Sequence, residues 1–88
     1  MRHIMEKTLK EDLRVLAIRE RERMGLTQRE MAERLMMSES SYSDIETGKA
    51  MCGTLTAVLL LAALEKPQLY FEGLKKLLRN SYEKAALL

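Results

Sequence analysis

The stretch TQREMAERLMMSESSYSDIETGK, residues 27–49, decides the fold. Thr27 can accept a hydrogen bond from the backbone N–H three residues on, and Glu30 stands where its carboxylate can reach back to the Thr27 N–H. A helix therefore starts here. Met31, Ala32 and Leu35 give it one apolar face, and it is expected to end near Met36. Ser38 can open a second short helix over roughly 39–47, with Tyr42 and Ile45 three residues apart on its inner side and Gly48 just beyond its end.

Two short helices joined by a tight turn are the elements of a helix-turn-helix, whose second helix enters the major groove of DNA. Counting Gln28 as the first of twenty positions, Met31, Ala32, Leu35, Met37, Tyr42 and Ile45 fall fourth, fifth, eighth, tenth, fifteenth and eighteenth. These are the interior positions. The fifth must be small because the helices approach closely there, and the fifteenth and eighteenth clamp the recognition helix onto the scaffold.

Outward from this unit the chain reads as helix throughout, with no alternation of β-branched and polar residues. Upstream, Thr8 with Glu11 makes another capping box, and Leu9, Leu13, Leu16 and Ala17 form a stripe that Gly25 closes, so a first helix is expected over roughly 8–24. Downstream, Thr54 to Leu64 reads as a fourth helix. Pro67 interrupts it, and a fifth is expected from about Gln68, with Tyr70, Phe71, Leu74, Leu77, Leu78, Tyr82 and Ala85 interleaved with Lys75, Lys76, Arg79 and Lys84. The expectation is an all-α, compact five-helix bundle: a flexible arm at 1–7, a core domain at 8–66, and a C-terminal amphipathic helix at 67–88.

Composition narrows the function. The 88 residues are 47% hydrophobic and 32% charged, with four Gly and one Pro, which suits one small globular domain. Cys52 and His3 are the only residues of their kinds, so no internal disulfide and no Cys/His zinc site can be assembled within one chain. No nucleophile-and-base pair and no Gly-rich phosphate cradle are present, so neither an enzyme nor a cofactor protein is expected. Cys52 reads as an ordinary packed or loop residue, with a redox-sensing thiol as the alternative. The most apolar stretch, Thr54 to Leu64, is eleven residues, against the ~20 that span a membrane, so a soluble, cytoplasmic chain with no membrane partner is expected, nucleoid-associated if it binds DNA.

Through Gly25-Leu26-Thr27-Gln28, Met31-Ala32 and Tyr42-Ser43-Asp44-Ile45-Glu46-Thr47-Gly48-Lys49, the sequence resembles the Cro and phage-repressor (XRE-like) helix-turn-helix domains, over roughly Leu9 to Leu64. That resemblance implies a bacterial or phage-type transcriptional regulator that binds double-stranded DNA as a symmetric dimer. Carried over residue by residue, it places Glu39, Ser40 and Asp44 at base edges, and Thr27, Gln28, Ser41, Ser43 and Lys49 at phosphates. Arg21, clustered with Arg19 and Arg23 beside the motif, is a further phosphate candidate. The family's carboxylate at Glu46 is a structural partner near the helix end, and Tyr42 belongs to the core.

The sequence departs from the family in three places. Met36 stands where the turn usually has Gly, at a position where positive φ is comfortable only for Gly and occasionally Asn. Glu20 interrupts the first helix's apolar stripe. Residues 27–49 carry three cations against five carboxylates, while both flanks are +2. An acidic reading head binds arbitrary DNA weakly, yet Glu39 and Asp44 can accept from cytosine N4 and so read selectively. The same acidity suits a helix-turn-helix-shaped protein-interaction module of antitoxin or anti-repressor type, with a toxin or anti-repressor as partner.

The fourth helix is apolar all round, so something must cover both of its sides. Helix five can cover part. The rest suits a homodimer seam built from Leu59, Ala62, Ala63, Tyr70, Leu74 and Leu77, which would set two recognition helices ~34 Å apart. A wholly intramolecular core is the alternative.

Overall fold

The computed structural model describes residues 2–64 and 67–87, the side chains of 78 and 81–87 excepted. It is all-helical among the described residues. Five helices follow in order: α1 (Arg2–Met24), α2 (Gln28–Arg34), α3 (Glu39–Glu46), α4 (Thr54–Ala62) and α5 (Pro67–Leu87). The Leu78, Tyr82, Lys84 and Ala85 side chains expected on the fifth helix's two faces lie outside the described residues.

The first helix starts six residues earlier than its capping box suggested, so the helical backbone takes in residues 2–7, which had been expected to form an arm. Nothing in that segment breaks a helix, and Arg2 Nε reaches Glu6 Oε1 at 3.1 Å across one turn. Thr8 is therefore an interior residue, half-buried, and not a cap. At the other end the Gly25 N–H donates to Glu22 O and the Leu26 N–H to Arg21 O, with Gly25 at φ +68°. This is a Schellman closure, which consumes carbonyls the helix end would otherwise leave open.

Two apolar clusters make the core. One joins Ala17, Met31, Ala32, Leu35, Tyr42 and Leu60. The second joins Leu13, Ile45 and Cys52, with Leu9, Ala57 and Tyr70 packed on it. Leu16 and Met37 touch both clusters and tie them together. Ala32 is 1% exposed, as the close approach of α2 and α3 requires. Burial of a side chain such as Met31 or Leu60 contributes ~1.5–3 kcal/mol. Cys52 is buried, and burial pushes its thiol up, so little thiolate forms.

Helix α4 stops at Ala62, two residues short of the expected end, where the Ala63 and Leu64 N–H groups turn to carbonyls three residues back. Helix α5 begins at Pro67, whose missing N–H is harmless in a first turn. It packs against α1. Tyr70 sits on the second cluster, and its hydroxyl lies buried near Asp12; burial and that carboxylate push the phenol up.

Candidate nucleic-acid interface

Each helix of the central pair is started and stopped by its own residues. The Thr27 hydroxyl accepts from the Glu30 N–H at 3.1 Å while Glu30 Oε1 accepts from the Thr27 N–H at 3.0 Å, a complete capping box. The Thr27 N–H, followed by the Thr27 side chain, holds the Glu30 carboxyl below the usual range. Ser38 accepts from the Ser41 N–H at 3.2 Å and donates to the Ser41 hydroxyl at 2.8 Å. Between them α2 closes with the Met36 N–H on Glu33 O and the Met37 N–H on Ala32 O, and Met36 adopts φ 56°. The Schellman turn expected to need glycine is formed here by methionine, whose side chain is 70% exposed.

Three residues fasten α3 from beneath. Tyr42 and Ile45 are buried in the two clusters, and the Tyr42 hydroxyl approaches Ala17 O at 3.4 Å. Burial, followed by the charge of Glu46, raises that phenol well beyond its ordinary range. Glu46, 8% exposed, accepts from Arg21 Nε at 2.6 Å and Arg21 Nη2 at 3.1 Å, and from Gln28 Nε2 at 3.0 Å. Arg21 also donates to Leu26 O at 3.1 Å. Burial pushes the Glu46 carboxyl up, but hydrogen bonds from Arg21 and Gln28, together with the nearby Tyr42 hydroxyl, outweigh it and leave it below the usual range. One carboxylate thus joins α1, α2 and α3, in the structural role expected of it.

The remaining α3 side chains face outward. Glu39, Ser40 and Ser41 are exposed and Ser43 and Asp44 half-buried, with Thr47 and Lys49 exposed beyond the helix end. Ser40 and Asp44 are one turn apart, and so are Glu39 and Ser43, so the expected base-edge residues share the solvent side. The phosphate candidates separate into groups. Thr27, Ser41 and Lys49 are exposed, whereas Gln28 and Arg21 are already held by Glu46. The Gln28 amide has a second N–H with which to meet an anion.

Pairing changes the charge seen from outside. Arg21 neutralises Glu46, and Arg29 lies 3.7 Å from Glu33, so the acids on the outer surface of α3 reduce to Glu39 and Asp44. Glu20, which broke the α1 stripe in the sequence, is 7% exposed and bonds Arg23 Nε at 2.6 Å. Neither Arg21–Glu46 nor Gln28–Glu46 was legible as a contact, because their partners are 25 and 18 residues apart in the chain.

The residues expected at a dimer seam differ in exposure. Leu59 packs on the first cluster and Tyr70 on the second, and Leu74 is half-buried. Ala62 and Ala63 are exposed, and Leu77 lies in a groove beside Thr8, Asp12, Val15 and Arg19 of α1. Exposed apolar side chains that the sequence did not single out for this purpose are Leu55 and Val58 on α4 and Leu69 and Phe71 on α5.

The helix-turn-helix family model matches residues 18–68, from within α1 to the first turn of α5. The chain belongs to the XRE-type helix-turn-helix family. No curated protein and no solved structure matches it significantly. XRE-type helix-turn-helix proteins are DNA-binding regulators and not typically enzymes. In this XRE-type chain no helix among the described residues is long and apolar enough to cross a membrane. Among the same residues no group of His, Cys, Asp and Glu could hold a metal ion.

Proposed function

We propose that the chain is a bacterial or phage-type sequence-specific transcriptional repressor that binds a palindromic operator as a homodimer in the cytoplasm. The observation that carries this reading is the division of α3, where Tyr42, Ile45 and Glu46 are buried while Glu39 and Ser40 ahead of them are exposed and Asp44 between them is half-buried. Such a helix can enter a major groove without disturbing its own support. Glu39 and Asp44 accept from cytosine N4, and Ser40 meets either kind of base edge. Thr27, Gln28, Ser41, Ser43 and Lys49 contact flanking phosphates, and Arg21 supports them through Glu46 and Gln28.

The two outward acids favour a second reading, a protein-interaction module of antitoxin or anti-repressor type with weak DNA binding. Selection from a pool of random duplexes at two salt concentrations separates the two. A two-fold motif among the recovered duplexes supports the repressor, and no enrichment at low salt supports the interaction module.

A further inference from the structure

Most arginines of α1 and α2 are already matched by carboxylates: Arg14, Arg21, Arg23 and Arg29 face Glu11, Glu46, Glu20 and Glu33. On α5 the balance differs. Lys75, Lys76 and Arg79 are exposed, and none has an ion-pair partner among the described residues. At 3.6 residues per turn the three fall within about 100° of one another around the helix. With Glu72 they line one groove. Tyr70, which packs on the second cluster, lies on the other side of α5, so this cationic face is turned away from the core.

We propose that Lys75, Lys76 and Arg79 hold the phosphate backbone of duplex DNA without regard to sequence, as a contact separate from α3. Duplex DNA carries one negative charge per about 1.7 Å of its axis, and cations not already held by carboxylates can take the place of its counterions. It is also the polyanion that the family binds. A helix that lies in a bilayer surface needs a continuous apolar face free, whereas here Tyr70 is committed to the core and the exposed Leu69 and Phe71 project on nearly opposite sides. A folded protein partner would bury a centre, and lysine is depleted from such centres. The inference rests on the DNA-binding reading and adds what the outward acids of α3 withhold, an attraction for duplex of any sequence.

The test is binding of the full chain to a duplex of arbitrary sequence, read by fluorescence anisotropy over a range of salt. The triple variant Lys75→Gln, Lys76→Gln, Arg79→Gln should lower the slope of log affinity against log salt by about 2–3, with the wild-type thermal midpoint because all three side chains are exposed. Glu72→Gln, which removes the one acid lining the groove among the described residues, should tighten binding several-fold. Lys7→Gln, an equal loss of charge at an exposed position of α1, should leave the slope nearly unchanged. A triple variant with the wild-type slope, a Glu72→Gln variant that binds no tighter, or a Lys7→Gln effect as large per charge each overturns the site. Retention of wild type on vesicles of anionic phospholipid without binding to duplex would make the occupant a membrane and overturn it too. A two-fold motif selected from random duplexes, with the slope unaltered in the triple variant, would leave the α3 reading standing and remove this inference; a lowered slope without any motif would leave the α5 site standing alone.

Discussion

Arg21 and Glu46 lie 25 residues apart in the chain and meet as a fork, guanidinium Nε at 2.6 Å and Nη2 at 3.1 Å from the two carboxylate oxygens. The side chains are 20% and 6% exposed, so the pair is mostly shielded from water. Because Glu46 also takes the Gln28 amide, α3 is braced against both helices that precede it.

Removing one side of a shielded pair leaves the other buried and uncompensated. Arg21→Ala should lower the unfolding free energy by ~2–4 kcal/mol, somewhat less than for a fully buried pair because Arg21 keeps partial contact with water. Urea unfolding checks this, and an effect within a few tenths of a kcal/mol would contradict the bracing role.

The same pair sets a pH dependence. The native Glu46 carboxyl lies below its unfolded value, so its contribution is complete above the ordinary carboxylate range and is lost as pH falls through that range to the native value. The stability difference between wild type and Glu46→Gln should therefore shrink as pH is lowered from about 7 to about 3. Paired urea titrations at several pH values measure it, and a constant difference would exclude Glu46 ionisation as its source.

Met36→Gly should stabilise the fold. The φ of 56° strains a methionine, and its exposed side chain leaves little packing to lose. Relief of strain, offset by the greater freedom of glycine in the unfolded chain, leaves a gain of about 0.5–1 kcal/mol. For a domain of this size the thermal midpoint should rise by roughly 4 °C.

DNA readout should divide by residue. Glu39→Ala and Asp44→Ala should change base preference while leaving the salt dependence near wild type. Lys49→Ala should keep the preference and lower the salt slope by about 1. Binding curves against the selected duplex and its single-base variants supply both quantities. Acidic variants with unaltered preference would remove Glu39 and Asp44 from the reading surface.

How far the sequence carried is plain at particular residues. Thr27 with Glu30 and Ser38 with Ser41 announce α2 and α3 because caps act within three residues, and the spacing of Met31, Ala32, Tyr42 and Ile45 marks the core. Met36 could be recognised as a strained turn from its place between them. The start of α1 was misjudged because the Thr8-Glu11 pattern imitates a cap inside a continuous helix. Tyr70 and Leu59 looked available to a second chain because amphipathic spacing shows which side is apolar and not what covers it. The donors to Glu46 come from two other helices, and no local pattern records such a meeting.

The alternation of anchored and free positions along α3 separates aim from vocabulary. Tyr42, Ile45 and Glu46 fix where the rod points, and in the proposed function Glu39, Ser40 and Asp44 decide what it says. If that function holds, rewriting those three letters should retarget the molecule to a different stretch of duplex with its architecture intact, and the small chain would serve as a scaffold for regulators of chosen address.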